Sequence, residues 1–261
     1  MADNGGGKFV WYELMTTDTE AAKSFYTDVC GWDTAPFEHA AGMDYTMWMK
    51  GEAPVGGLME LPEEVLDSGA PPHWMGYVAV PDVDATAARA KELGGTVHHG
   101  PADIPNVGRF AIIADPQGAV LAAFKGEQEM SAEAKDPEPG DVSWHELATT
   151  DSEAAFDYYA DLFGWEKQDA MDMGEAGVYQ MYGVGEEMLG GMYTRPDDAP
   201  FPPNWLYYVA TEDIESAKET IEADGGTILT GPMEVPGGGK ILVAQDPQGA
   251  AFALHQKGAE G

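Results

Sequence analysis

Cysteine and basic residues are both scarce in this chain of 261 residues. Cys30 is the single cysteine, so no intrachain disulfide can form and no thiolate metal site can be built. Lys and Arg number 13 against 46 Asp and Glu, which gives a net charge of −33. A charge of that sign repels the phosphates of nucleic acids and anionic lipid surfaces, which argues against both as partners. The acids are dispersed along the chain, which favours adaptation to high salt, with an unusually acidic cytosolic protein as the alternative.

Long apolar runs are also missing. No segment approaches the ~18 apolar residues of a membrane span, and residues 1–8 lack the apolar stretch of a signal peptide. We therefore expect a cytoplasmic protein. A hydrophobic content of 44% and an aromatic content of 10% are globular values, and the length allows two cores of ordinary size.

The dominant positive feature is a long internal repeat. The stretch WYELMTTDTEAAKSFYTDVCGW begins at Trp11 and returns as WHELATTDSEAAFDYYADLFGW at Trp144, 133 residues later. A repeat of this length is domain-sized and too long for a solenoid unit. The sequence therefore predicts two homologous domains, 1–126 and 141–261, joined by a polar, Pro-containing linker at 127–140.

Each copy carries its own start, stop and turn signals. Thr17 with Glu20 three residues later fits a capping box, and Gly31 fits the end of that helix. DPQG, beginning at Asp115 in one copy and Asp246 in the other, has the residue order of a β-turn, so we interpret it as a loop device and not as a catalytic dyad. Strand, helix and three strands follow one another twice in each copy. This order predicts an α+β fold made of four βαβββ modules.

The paired βαβββ modules, the W-x-E-L-x-T-T-D-x-E-A-A start and the DPQGA hairpin resemble the vicinal oxygen chelate superfamily. That superfamily includes glyoxalases, fosfomycin and bleomycin resistance proteins, and extradiol dioxygenases. The sequence is most similar to its tandem glyoxalase-like bacterial members. The resemblance covers both copies but not residues 1–7 or the linker at 127–140. The resemblance implies two tandem domains, each a curved, cupped mixed sheet with flanking helices. It does not fix the reaction.

The resemblance also implies where a metal would bind, because the family takes one ligand from each of four strands. In this sequence the corresponding positions are Trp11, Met75 and Ala122 in the first copy and Trp144, Leu206 and Ala253 in the second. None of these side chains can hold a divalent metal, so we expect no cofactor. The alternative is one divalent ion (Zn, Ni or Mn) at displaced ligands. Those ligands would be Glu13, Glu60 and His73 in the first copy, and Glu146 and His255 in the second.

Glu13 and Glu146 are the candidate catalytic residues, because both copies place a carboxylate between apolar neighbours on the first strand. Such a group can act as a general base with a raised pKa or accept a hydrogen bond from a ligand. A structural hydrogen bond is the alternative. The candidate ligand-binding aromatic residues are Trp11, Trp144, Tyr45, Tyr179, Tyr77 and Tyr208. Trp48, Trp74 and Trp205 could also line a pocket, with core packing as the alternative for each tryptophan.

Arg109 and Lys240 correspond to each other, each after a glycine-rich loop. A retained cation suggests contact with an anion or carbonyl of a ligand, and a surface salt bridge is the alternative. The remaining histidines do not recur in both copies. We interpret His39, His98, His99 and His145 as surface residues.

Two hypotheses for function follow. The first is a module that binds a small, partly apolar molecule in cupped sites, without the family's metal cage. The second is a glyoxalase-like lyase or isomerase in which Glu13 or Glu146 moves a proton next to a carbonyl. An extradiol dioxygenase fits least, since iron would need two His and one carboxylate. The sequence leaves open a monomer or a homodimer, and also whether modules pair within a domain or exchange.

Overall fold

A computed structural model of the protein describes residues 6–37, 44–67, 69–128, 136–236 and 238–258. His39 lies outside the described residues. Among the helices of the described residues, none is both long enough and apolar enough to cross a bilayer. The proposed adaptation to high salt stays a prediction.

The chain forms the four expected βαβββ modules in sequence order. The first module contains β1 (Phe9–Thr16), α1 (Thr19–Cys30), β2 (Asp33–Pro36), β3 (Tyr45–Lys50) and β4 (Ala53–Glu60). A short helix, α2 (Glu63–Asp67), precedes the second module, which contains β5 (His73–Ala79), α3 (Val83–Glu92), β6 (Thr96–Ile104), β7 (Gly108–Ala114) and β8 (Val120–Gly126). The third module contains β9 (Val142–Thr149), α4 (Ser152–Phe163), β10 (Glu166–Asp172), a 3-10 turn (Gly174–Ala176), β11 (Val178–Val184) and β12 (Glu187–Thr194). The fourth contains β13 (Asn204–Ala210), α5 (Ile214–Ala223), β14 (Thr227–Glu234), β15 (Lys240–Gln245) and β16 (Ala251–Gln256).

The strands form two eight-stranded mixed sheets, which confirms the predicted α+β class. Their orders are β2-β3-β4-β1-β5-β8-β7-β6 and β10-β11-β12-β9-β13-β16-β15-β14. Within each module the last strand pairs in parallel with the first, and the other pairings are antiparallel. The last strand of a module therefore lies beside its first strand, although a helix and two strands separate them in the chain.

Two compact units make up the structure, and each takes residues from both copies of the repeat. The first unit contains Met1–Trp11, Met75–Lys135 and Trp144–Trp205, and the second contains Tyr12–Trp74, Asp136–Ser143 and Leu206–Gly261. The first unit therefore combines the second and third modules, and the second combines the first and fourth. Each sheet thus joins the two modules of one copy, whereas each compact unit combines modules from different copies.

The capping residue of the first helix differs from the prediction. Asp18, not Thr17, is the N-cap, and its carboxylate accepts a hydrogen bond from the backbone N–H of Ala21 at 3.0 Å. Asp18 is extended (φ −144°, ψ 94°), the conformation that lets a short side chain reach back to the first turn. Glu20 instead binds Lys23. The predicted stop is confirmed, because Gly31 is left-handed (φ 69°) at the C-cap.

The DPQG segment forms the predicted turn but also has a buried role. Asp115 is only 3% exposed, and one carboxylate oxygen accepts the backbone N–H groups of Gln117, Gly118 and Ala119 at 2.7–2.9 Å. The other oxygen accepts the hydroxyl of Tyr159 on α4 at 3.0 Å. Burial raises the pKa of this carboxyl group, and the hydrogen bonds counteract part of that rise. The turn of the second module is thus joined to the helix of the third.

The second unit repeats this arrangement with exchanged partners. Asp246 accepts the hydroxyl of Tyr26 on α1 at 3.1 Å, and Trp74 donates its indole N–H to the same hydroxyl at 2.8 Å. In the first unit the matching indole belongs to Trp205, which donates to Tyr159 at 3.1 Å. Each half of the chain therefore supplies the helix to one unit and the aspartate to the other.

The same exchange between copies occurs at the residues that precede each repeat, Gly7 and Gly140, where a tryptophan binds the glycine carbonyl. Trp165 donates its indole N–H to the carbonyl of Gly7 at 2.6 Å, and Trp32 donates to the carbonyl of Gly140 at 2.8 Å. Gly7 is buried. A Cβ atom on Gly7 would lie 2.5 Å from the Phe163 carbonyl oxygen, which explains glycine there.

His145 is buried in the first unit, so its assignment to the surface is wrong. It is 6% exposed, and its ring stacks on Phe9 with the centroids 4.0 Å apart and the planes 6° from parallel. Nδ1–H donates to the Leu189 carbonyl at 2.6 Å. Burial lowers the pKa of His145 to about 4, so the ring is neutral near pH 7. His98 and His99 are exposed, as expected.

Acidification should therefore destabilise the fold through His145. Its pKa is lower in the folded than in the unfolded chain, so its contribution is complete above pH 6.5 and declines as the pH falls towards 4. The loss should reach about 3 kcal/mol, since each tenfold change in proton affinity corresponds to about 1.4 kcal/mol. Urea unfolding at pH 7, 5.5 and 4 should show a steeper decline for the wild type than for His145→Gln. His98→Gln, at an exposed position, should keep the wild-type slope, and equal slopes for all three proteins would contradict the assignment.

Candidate carboxylate–tyrosine sites

In the first unit, a carboxylate, a glycine and a tyrosine lie on three adjacent strands. Glu146 on β9 stands opposite Gly191 on β12, and Tyr179 is on β11, the next strand. The Tyr179 ring occupies the space that a side chain on Gly191 would fill, because a Cβ atom there would overlap the ring. Its hydroxyl donates to Oε2 of Glu146 at 3.0 Å. The absence of a side chain at Gly191 is what lets the tyrosine reach the carboxylate.

The second unit builds the same arrangement from the first module. Glu13 on β1 stands opposite Gly57 on β4, and Tyr45 on β3 places its ring where a Cβ atom of Gly57 would lie. The Tyr45 hydroxyl donates to Oε2 of Glu13 at 3.0 Å. Glu13 is 8% exposed, and Glu146 is half-buried. Gly57 and Gly191 thus have the same steric role in the two copies.

The hydrogen bonds around Tyr179 form a chain that ends at the carboxylate. Trp144 donates its indole N–H to the Tyr179 hydroxyl at 2.8 Å, and that hydroxyl donates to Glu146. Burial, and then the charge of Glu146, raise the pKa of Tyr179 well above its ordinary value. The phenol therefore remains protonated and acts as a fixed donor. A carboxylate oriented in this way can accept a hydrogen bond from a ligand or a proton from an acidic C–H group.

Tyr193 on β12 and Arg195, the residue directly after β12, extend the candidate site of the first unit, and neither was predicted from the sequence. The Tyr193 ring is stacked near that of Tyr179, with centroids 6.2 Å apart and an angle of 19° between the planes. Burial raises the pKa of Tyr193 to about 12, Glu146 acts in the same direction, and Arg195 acts in the opposite direction. A carboxylate and a guanidinium thus influence the same hydroxyl. The alternation Gly191, Tyr193, Arg195 is a sequence signal that could have found them.

The other aromatic candidates lie in packed surroundings. Trp48, Trp74 and Trp205 belong to buried aromatic clusters, as the core-packing alternative requires. Tyr77 and Tyr208 are 6% and 3% exposed. Ligand binding by these two tyrosines, and by Trp11, stays a prediction.

A cavity of about 10 Å³ in the second unit is no larger than the space for one water molecule. It is a packing gap between aromatic side chains and not a ligand pocket. Its lining residues are Tyr12, Tyr26, Trp32, Trp74, Val142, Tyr207, Val209 and Phe252.

The two corresponding cations form surface ion pairs. Arg109 donates to Asp84 at 2.7 and 2.9 Å and to Asp103 at 2.7 Å. Lys240 lies 3.1 Å from Glu215, which matches Asp84 in the other copy. The structure therefore shows the salt-bridge alternative for both. A role in ligand binding stays a prediction and would require these pairs to open.

The residues present do not fit the family's metal. Met75, Ala122 and Ala253 are buried and offer no ligand for Zn, Ni or Mn. The displaced set is not assembled either, since within the described residues no three His, Cys, Asp or Glu side chains are grouped closely enough for an ion. Glu60 is exposed, and His73 Nδ1 binds the Pro71 carbonyl at 2.8 Å. Glu146 belongs to the first unit and His255 to the second, where it contacts Ser143.

Paired βαβββ modules in mixed sheets define the fold class, and sequence comparison identifies the family. The profile of the Glyoxalase/Bleomycin resistance protein/Dioxygenase superfamily matches residues 8–122 and 142–254. The chain belongs to this superfamily.

Relatives match over nearly the whole chain. A protein of Mycobacterium tuberculosis (strain CDC 1551 / Oshkosh), named "Putative glyoxylase CFP32", is 32% identical over 94% of this chain and 92% of its own length. The anthracycline biosynthesis protein DnrV of Streptomyces peucetius is 27% identical over 95% and 92%. Among solved structures, the Mn(II)-bound glyoxalase from Novosphingobium aromaticivorans has a TM-score of 0.64 and 16% identity, covering 98% of this chain and 83% of that one. The 2,3-dioxygenase LapB from Pseudomonas sp. KL28 has a TM-score of 0.65 and 11% identity, covering 98% and 94%. At these identities the structures share the fold alone.

Proposed function

We propose that the protein binds a small, partly apolar molecule at its two carboxylate–tyrosine pairs. One observation carries the proposal: the Glu13–Tyr45 pair and the Glu146–Tyr179 pair are built alike, each with the tyrosine ring in the space left by a glycine. A carboxylate among aromatic rings is costly to bury, so its presence in both copies needs a reason. A ligand that donates to the carboxylate and packs on the rings would use what the arrangement offers.

The second candidate is proton transfer by the same carboxylates. Glu146 is held by a protonated tyrosine, so its position is fixed, as a general base requires. In this role it would take a proton from carbon next to a carbonyl and return it to the neighbouring carbon, as a glyoxalase-like isomerase does. The name of the mycobacterial relative favours this reaction class, and the name of the Streptomyces relative favours a polycyclic aromatic ligand.

The two candidates can be separated with two probes. Binding is measured by the quenching of tryptophan fluorescence on addition of an anthracyclinone, the uncharged aglycone of an anthracycline. Turnover is measured with the hemithioacetal of methylglyoxal and glutathione. We expect Glu13→Gln combined with Glu146→Gln to weaken anthracyclinone binding about 10-fold or more, because a hydrogen bond to a charged acceptor is lost. Turnover that disappears in the same double variant would favour the enzyme.

Glu60→Gln is the matched control, since Glu60 lies on the same sheet as Glu13 but is exposed. It should leave both readouts unchanged. The binding proposal would be overturned if the double variant bound the anthracyclinone as tightly as the wild type. The enzyme would be overturned if the wild type showed no turnover.

A further inference from the structure

Arg195 has a guanidinium edge without a described partner. Nη1 donates to the backbone carbonyls of Pro196 at 3.1 Å and Ala199 at 3.5 Å, which fixes the plane of the group. Nε is buried and makes no hydrogen bond with any described residue. Asp197 and Asp198 follow closely in sequence, yet neither forms an ion pair with Arg195 in the described structure. An N–H of a cation that is buried and unsatisfied is costly, so its retention needs a reason.

The other two arginines show what this edge binds when a carboxylate is available. Arg89 uses Nε and Nη2 together on Asp161, at 2.7 and 2.8 Å. Arg109 uses the same two atoms on Asp84, at 2.7 and 2.9 Å. This parallel, two-point geometry is the preferred way for a guanidinium to hold a carboxylate. In a chain with 46 acidic residues, only Arg195 among the three arginines keeps this edge clear of a described carboxylate.

The surroundings of Arg195 connect it to the candidate site of the first unit. Arg195 follows directly after β12, and its backbone N–H binds the carbonyl of Thr149 at the end of β9. Tyr193, two residues earlier, is influenced by Arg195 and by Glu146. Along the chain, Tyr193 lies between Gly191, which stands opposite Glu146, and Arg195, so the strand register places the aromatic ring between the carboxylate and the guanidinium positions.

The second unit differs at this position. Leu61 corresponds to Arg195, since its backbone N–H binds Thr16 as that of Arg195 binds Thr149. Leu61 is 4% exposed, and Met59 stands in place of Tyr193. The two units thus share the carboxylate–tyrosine pair, but the residue after the neighbouring strand is Arg195 in the first unit and Leu61 in the second.

We propose that Arg195 recognises a carboxylate on an aromatic ligand of the first unit through its Nε–Nη2 edge, with the ligand ring against Tyr193. The proposal rests on the proposed function, because it assigns the ligand class of the same site. The two units would then differ in ligand class, because an anionic ligand would bind only in the first unit, where Arg195 lies. Arg195 is half-buried and its Nε is buried, so the proposal requires the side chain to move when a ligand enters.

Matched probes test this assignment. Binding of 2-naphthoate and 2-naphthamide, which share a ring system and differ in charge, is measured by calorimetry on the full chain. We expect the wild type to bind 2-naphthoate with one site per chain and about 10-fold or more tighter than the amide, in keeping with a charge-assisted hydrogen bond. Arg195→Leu, which copies the residue of the other unit, should lose this preference and keep its affinity for the amide. Arg89→Gln, at an arginine already paired with Asp161, should behave as the wild type.

Two results would overturn the proposal. One is a wild type that binds naphthoate no better than naphthamide, and the other is an Arg195→Leu variant that keeps the preference while remaining folded by circular dichroism. Neither result affects the test of Glu13 and Glu146 with the uncharged anthracyclinone. Failure of that test, with the naphthoate preference intact, would instead remove the carboxylates from the proposed function and leave Arg195 as the recognition group.

Discussion

Replacing Gly191 with alanine is expected to destabilise the first unit by about 3 kcal/mol. The new Cβ atom would overlap the Tyr179 ring, so the ring must move and the hydrogen bond to Glu146 must break. Overpacking of this kind costs about 1–3 kcal/mol, and losing a hydrogen bond to a charged group adds about 1.5–3 kcal/mol. Urea unfolding followed by fluorescence measures the loss. Under the proposed function, ligand binding at the first unit should weaken as well, since Glu146 is no longer held.

Gly6→Ala is the control for this substitution, because a Cβ atom on Gly6 meets nothing within 4 Å. The double variant Gly191→Ala with Tyr179→Ala adds a sharper check. If overlap with the ring is the cause, removing the ring should recover part of the stability, and the two effects should not add. Strict additivity would count against the steric explanation.

Replacing Asp246 with alanine should cost still more, about 4 kcal/mol. The variant leaves the backbone N–H groups of Gln248 and Ala250 and the hydroxyl of Tyr26 without their acceptor in a buried place. Each unsatisfied buried donor costs about 1–3 kcal/mol, although relaxation of the turn recovers part of the sum. Guanidinium chloride unfolding monitored by circular dichroism gives the loss. Asp115→Ala should behave alike in the first unit, because its contacts are equivalent.

Tyr26→Phe serves as the graded comparison for Asp246→Ala. It removes one of the carboxylate's partners and the acceptor of the Trp74 indole N–H but leaves the turn intact, so a loss of about 2 kcal/mol is expected. Equal losses in the two variants would mean that the backbone contacts of the aspartate contribute nothing to the stability of the turn.

The repeat, the four modules and the DPQG turn could be predicted because they depend on local signals. Strand and helix patterns, Gly31 at a helix end and Asp115 at a turn each act within a few residues. The capping error at Thr17 is of the same local kind, since two adjacent residues can both cap and only the backbone conformation decides between them. The superfamily followed from these same motifs.

The site could be predicted only in part. Glu13, Glu146, Tyr45 and Tyr179 were candidates because both copies retain them, and the structure pairs each glutamate with its tyrosine. The function of Gly57 and Gly191 depends on which strands become neighbours, and spacing along the chain does not contain that information. Arg195 was missed because comparing the copies favours what they share, whereas Arg195 stands against Leu61. His145 was misplaced because strand alternation tells which residues point away from Glu146, but not whether that other face is covered.

The segment that was duplicated and the unit that packs together are not the same part of the chain. The duplication copied a stretch of sequence from Trp11 onward, yet Tyr26 of one copy now depends on Asp246 of the other, and Tyr159 on Asp115. Compensating substitutions should therefore connect position 26 with position 246, and not with its counterpart in the same half. A substitution at one of these positions should therefore require a matching change in the other half of the chain, because the helix tyrosine and its aspartate come from different halves.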